Sequence, residues 1–173
     1  CPGGIYVSLH LSVGYHPTHR LVHCSSEEAT LQNLNFFIQT FGCQMNDHDS
    51  GVLARLLEED GHLEVADPAQ ADLILVNTCA IREKASEKFY SQLGRYRPLK
   101  DARPELVLGV GGCVAQAEGR RVLKRAPYVD LVFGTQTLTE VPGLVERVRR
   151  ERRRLVATEM RNDPIALESL YAH

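Results

Sequence analysis

The 173-residue sequence has no apolar run near the roughly 20 residues that a helical membrane span needs. Nor does a basic stretch lead into a short apolar one near its start, so no secretory leader is read there. A large excess of either charge is missing as well. Twenty Lys and Arg stand against 22 Asp and Glu, a net charge of -2, which excludes a uniformly cationic nucleic-acid clamp. Cysteine is sparse. There are five, an odd number, and none follows Cys113. That pattern argues against a disulfide framework. In a protein expected in the cytoplasm, such cysteines read as thiolates for a metal or for chemistry. The first residue is Cys1 and not Met, so a fragment or a missing start is expected. Hydrophobic residues make up 43% of the chain, enough for one domain with its own core.

What is present is a repeated grammar. Asn35-Phe36-Phe37-Ile38-Gln39-Thr40-Phe41 reads as a buried strand and runs through Gly42 into Cys43. A helix follows, with Asn46 as its expected cap and Val52, Leu53, Leu56 and Leu57 on its buried face. Leu73-Ile74-Leu75-Val76-Asn77-Thr78 ends at Cys79, and a helix marked by Ile81, Ala85, Phe89 and Leu93 follows, ending before Pro98. Leu106 to Val110 passes through Gly111-Gly112 into Cys113 and a helix carrying Val114, Val122 and Leu123. Short strands are expected at His62 to Ala66 and Val129 to Phe133, with a loop at Lys100 to Pro104. Thr137 to Glu140 fits a capping box for a last helix with Leu144, Val145 and Val148 inward.

Strands alternating with helices predict an α/β fold. The expected form is a doubly wound, mostly parallel open sheet of about five strands, flavodoxin- or Rossmann-like in three layers. Right-handed crossovers then put every strand-to-helix loop at one edge, where such sheets bind ligands. Cys43, Cys79 and Cys113 are expected there, at the C-terminal edge of the strands.

Four chemistries fit three such cysteines. Free cysteines fill cores as small hydrophobes, but that explains one better than three. A zinc site would add His48 as the nearest fourth ligand. One thiolate acting as a nucleophile lacks a His or acidic partner beside it in sequence. An iron–sulfur cubane held by three thiolates leaves one iron open. The run Gly109-Val110-Gly111-Gly112 also allows a phosphate cradle of nucleotide-binding type, a weak signal by itself.

The ends of the chain carry less. Residues 1–33 are read as an extension without assigned structure, apart from a weakly alternating stretch at Ile5 to Val13. They hold Cys1, Cys24, His10, His16, His19 and His23 in no standard zinc spacing. Residues 34–150 form the domain. Residues 151–173, with Asn162-Asp163-Pro164, read as a linker towards a further domain. Arg147, Arg149, Arg150, Arg152, Arg153 and Arg154 read as the solvated end of a helix. The stretch Arg82 to Arg103 is locally basic, with Tyr90 and Tyr96 expected to be exposed and Phe89 in the core.

Four segments carry a resemblance. Thr40-Phe41-Gly42-Cys43-Gln44-Met45-Asn46, Asn77-Thr78-Cys79-Ala80-Ile81-Arg82-Glu83-Lys84-Ala85, Gly111-Gly112-Cys113-Val114-Ala115-Gln116 and Val129-Asp130-Leu131-Val132-Phe133-Gly134-Thr135-Gln136 resemble the N-terminal domain of radical-SAM methylthiotransferases. The residues around the first two cysteines look like the branch that modifies isopentenyladenosine in tRNA. The resemblance implies that Cys43, Cys79 and Cys113 ligate an auxiliary [4Fe-4S] cluster that supplies or carries the sulfur placed on the base. It also implies S-adenosylmethionine and a second cluster in a separate domain. Here the sequence departs from the family, because the Cys-x-x-x-Cys-x-x-Cys motif of that domain is absent. Alone, the chain is expected to be inactive. The partners implied are tRNA and S-adenosylmethionine, with no membrane, and a monomer is expected.

Overall fold

The computed structural model describes residues 33–79 and 85–158, without the side chains of 85–88. The expectations for Cys1, Cys24, the four early histidines, the strand at Ile5 to Val13 and Asn162-Asp163-Pro164 lie outside the described residues. So do Ile81, Arg82, Glu83 and Lys84.

Six strands form one parallel sheet: β1 (Asn35–Phe41), β2 (Leu63–Glu64), β3 (Leu73–Thr78), β4 (Val107–Gly112), β5 (Leu131–Phe133) and β6 (Leu155–Ala157). Their order is β2-β1-β3-β4-β5-β6. The doubly wound α/β fold is thus present, with one strand more than the sequence suggested. The additional strand, β6, lies in the stretch read as a linker. Arg152 takes a left-handed conformation (φ 51°) after the last helix and turns the chain back alongside β5.

The helices are α1 (Gln44–Glu59), α2 (Ala85–Gly94), α3 (Arg97–Ala102), α4 (Cys113–Glu118), α5 (Arg120–Arg125) and α6 (Val141–Glu151). Alternation along the strands sorts the core into two faces. Ile74, Val76, Leu108, Val110 and Val132 meet Phe89 and Leu93 of α2, Val114 and Ala115 of α4 and Val122 of α5. Leu73, Leu75, Val107, Leu131 and Phe133 meet Leu53 and Leu57 of α1 and Leu144, Val145 and Val148 of α6. The steps β1 to β2 and β5 to β6 run in opposite directions across the sheet, yet α1 and α6 cover the same face. The two crossovers therefore have opposite hands, against the uniformly right-handed expectation. Covering Leu131 and Phe133 explains the placement of α6, because α2, α4 and α5 already occupy the other face.

Several local expectations fail for identifiable reasons. Pro98 opens α3 in its first turn, where its missing N–H costs nothing, so the helix Arg97–Ala102 takes in the first three residues of the loop expected at Lys100 to Pro104. Gly119, at φ 48°, splits the helix after Cys113 into α4 and α5. Thr137 does not cap α6. Its hydroxyl accepts the Gly134 N–H (3.0 Å) and lies 2.9 Å from the Ala157 carbonyl, inside a 3-10 segment, Thr135–Glu140. Tyr96 is buried, its hydroxyl 3.4 Å from Gln39 Oε1, whereas Phe89 is in the core as expected.

Candidate metal centre

The chain leaves β1 for one side of the sheet and β3 for the other, so the switch point lies between these two strands. Open α/β sheets bind ligands there, outside the carboxyl ends of the strands. The strand ends are level: Phe41 pairs with Thr78, and Thr78 with Gly112. Cys79 and Cys113 come one residue beyond that row, and Cys43 two. Three cysteines far apart in sequence thus leave the same edge of the sheet on neighbouring strands.

Close backbone approach holds the turns together. A Cβ at Gly42 would lie 2.7 Å from the Cys79 Cβ and 2.4 Å from Asn46 Oδ1. A Cβ at Gly112 would lie 2.2 Å from the Thr78 carbonyl oxygen, and its φ of 89° independently demands glycine. The other glycines of that run serve packing. Gly109 faces the Leu75 side chain and Gly111 the Phe133 ring, both inside the buried strand β4. That use disfavours the phosphate-cradle reading of the glycine run.

Cys43 caps α1 in place of Asn46. Asn46 sits at the third helical position and reaches back, its Oδ1 accepting the Cys43 N–H at 3.4 Å. The Asn46 and Met45 N–H groups, and then the Cys79 thiol, hold the Cys43 thiol below its ordinary range against the opposing effect of desolvation. Cys79 is buried, Cys43 half-buried and Cys113 exposed, and none is in a disulfide. The structure therefore brings Cys79 up against the Gly42–Cys43 turn and starts α4 with Cys113 on the next strand. Among the described residues, no group of three or more His, Cys, Asp and Glu is gathered tightly enough to hold a metal ion. His48 lies on the exposed side of α1.

Sequence reasoning passed over Asn77, Ser50 and Thr40, which lie beneath these turns. The available signal was Asn77 itself, a carboxamide in the otherwise apolar strand Leu73–Thr78, where a buried polar group must be satisfied.

Residues 35–134 match the model of a family described as Uncharacterized protein family UPF0004. The chain belongs to that family. Curated relatives carry a more specific name, tRNA-2-methylthio-N(6)-dimethylallyladenosine synthase. The one from Methylococcus capsulatus is 58% identical over 121 residues, 69% of this chain and 26% of the relative. That from Chromobacterium violaceum is 56% identical over 111 residues, 64% and 25% of the two chains. That from Jannaschia sp. is 50% identical over 135 residues, 78% and 29%. The chain spans about a quarter of the length of the first two relatives. These relatives bear out the resemblance to methylthiotransferases of this branch. Among the described residues no helix is long and apolar enough to cross a membrane.

Proposed function

We propose that residues 34–150 are the sulfur-site region of a tRNA methylthiotransferase, holding an auxiliary [4Fe-4S] cluster through Cys43, Cys79 and Cys113. The observation that carries this is the level row Phe41, Thr78 and Gly112, with a cysteine just beyond each. The donor set fits. Thiolates are the usual ligands of such clusters, and Gly42 and Gly112 keep side chains out of two of the turns. Cys43 and Cys79 supply two sulfurs from adjoining turns, and Cys113 the third from the turn on the next strand. When bound, the cluster would supply the sulfur that reaches the substrate. The chain's own part is to hold three thiols on rigid strand ends with one side of the site left open.

In this reading S-adenosylmethionine and a second cluster belong to a region other than this one. The substrate is isopentenyladenosine in tRNA, bound by the whole enzyme. Residues 1–33 are an extension, and the stretch 151–173 contributes β6 to the sheet before it leads onward. The enzyme works in the cytoplasm as a monomer.

Anaerobic reconstitution with iron and sulfide tests the cluster assignment. About four irons per chain are expected, with thiolate-to-iron charge-transfer absorption. Cys43→Ala, Cys79→Ala and Cys113→Ala should each abolish it, and Cys1→Ala and Cys24→Ala should not. Zinc bound in preference to iron, or iron kept by Cys113→Ala, would overturn the assignment.

A further inference from the structure

Beneath the three turns lies a buried network of polar side chains. Asn46 and Asn77 are almost wholly buried, 2% and 1% exposed, on α1 and β3. Asn46 Nδ2 donates to Asn77 Oδ1 at 3.2 Å. Asn77 Nδ2 donates to the Asn46 carbonyl at 2.9 Å and to Ser50 Oγ at 3.0 Å. Ser50 Oγ accepts from Thr40 Oγ1 at 2.7 Å, which brings in the end of β1. Asn46 Oδ1 takes the Cys43 N–H and lies 3.5 Å from Cys43 Sγ.

The two amide oxygens also occupy the space that glycine leaves free. A Cβ at Gly42 would be 2.4 Å from Asn46 Oδ1, and one at Gly112 would be 2.5 Å from Asn77 Oδ1. Asn46 therefore seats the Cys43 turn. Asn77 lies two residues before Cys79 and against the glycine that precedes Cys113.

We infer that Asn46 and Asn77 are positioning residues for the sulfur site, a hydrogen-bonded pair that sets the three cysteine-bearing turns relative to one another. The inference rests on the proposed cluster role for its purpose, but the geometry itself is independent of iron. Two carboxamides suit the task because each both donates and accepts, so one pair can satisfy several backbone and side-chain groups in a dry site. An apolar pair of equal size would fill the volume without fixing the turns.

The experiment uses the 173-residue chain with Asn46→Ala, Asn77→Ala and the milder Ser50→Ala. After reconstitution, iron release to a ferrous chelator should be about 10-fold faster or more in the two Asn variants, in line with the loss of a ligand-orienting partner. The charge-transfer spectrum should shift, and Ser50→Ala should move in the same direction by less. In parallel, phenylarsine oxide is titrated into the iron-free chain, where it bridges neighbouring thiols. Wild type should be bridged through Cys43 and Cys79, and the Asn variants should bind the arsenical about 10-fold more weakly or worse. If wild type takes up no iron, the cluster reading fails, and the arsenical titration alone decides the inference. Unchanged iron release and spectrum together with unchanged arsenical affinity would overturn it. Should an Asn variant fail to melt cooperatively, Ser50→Ala decides: wild-type behaviour in both assays would overturn the inference.

Discussion

The α-carbon of Gly112 packs against the backbone of Thr78, so closely that a Cβ would lie 2.2 Å from the Thr78 carbonyl oxygen and 2.9 Å from its nitrogen. Backbone on a central strand cannot move aside as a side-chain tip can. Gly112→Ala therefore combines left-handed backbone strain with overpacking, and about 3 kcal/mol of stability or more should be lost. Urea unfolding of the iron-free chain measures this. A loss below about 1 kcal/mol would show that the β3–β4 edge is more plastic than its packing implies.

Cys43 gives a pH-dependent prediction. N–H groups of the first turn of α1 lower its thiol pKa, so the thiolate is held by the folded turn. In the reduced, iron-free chain, alkylation of Cys43 should reach half its plateau rate at a lower pH than it does in the urea-unfolded chain. The stability linked to this ionisation is present at high pH and is lost as pH falls through the lowered value. Mass-spectrometric mapping of the alkylated residue against pH checks the prediction. A midpoint at or above that of the urea-unfolded chain would sink it.

The strands were legible because each is an apolar run that ends in turn chemistry, and the cysteines were legible because each follows such an end. The supporting layer was harder to read. Asn46 looked like a cap because Asn caps helices well, but the chain turns three residues earlier and gives that place to Cys43. Asn77 points to a polar network only once α1 is known to lie over β3. Leu155-Val156-Ala157 is too short, and too close to the arginine run, to signal a strand; its pairing with β5 is tertiary. Pro98 was visible as a breaker, but position decides whether Pro starts or stops a helix; the break at Gly119 was not read.

The tyrosines set an alkaline limit. Burial foremost raises the phenol pKa values of Tyr90, Tyr96 and Tyr128. For Tyr90 the Glu118 carboxylate that accepts its hydroxyl adds to the rise, partly opposed by the Arg125 guanidinium 3.9 Å over its ring. The folded chain thus keeps protons that the unfolded chain releases above pH ~10. Stability is fully present below that value and declines as pH rises beyond it. Tyr90→Phe should shallow the decline. A melting temperature that stays flat from about pH 9 to about pH 11 would contradict the prediction.

Lys100, in the same locally basic stretch, is committed to contacts within the fold. Its ammonium lies 2.7 Å from Asp130 Oδ2 and donates to the Pro104 carbonyl at 3.0 Å and to the Leu106 carbonyl. Asp130 Oδ2 in turn accepts the Leu108 N–H at 2.9 Å, so the pair ties α3 to β4 and to the start of β5. Both side chains are mostly buried, at 14% and 18% exposure. Lys100→Ala should cost about 2 kcal/mol or more, because it leaves the Asp130 carboxylate without its cation. Denaturant titration checks this, and a loss within about 0.5 kcal/mol of zero would contradict the clamp.

Arg95 and Arg97 remain as exposed cations of the same stretch. Arg95 donates to Gln92 Oε1 at 3.0 Å. Arg97 pairs with Asp101 at 3.5 Å and lies 5.8 Å from the Tyr128 ring centroid. These are surface contacts, weak enough to yield to a phosphate. Under the proposed function, Arg95→Glu with Arg97→Glu in the full-length enzyme should weaken tRNA binding. If each arginine meets one phosphate, the slope of log affinity against log salt should shallow by about 1.4 to 1.8. Because neither residue is buried, the double variant should melt close to wild type, which separates an RNA effect from a folding effect. Unchanged affinity and slope would assign tRNA binding to other parts of the enzyme and leave this region with sulfur alone.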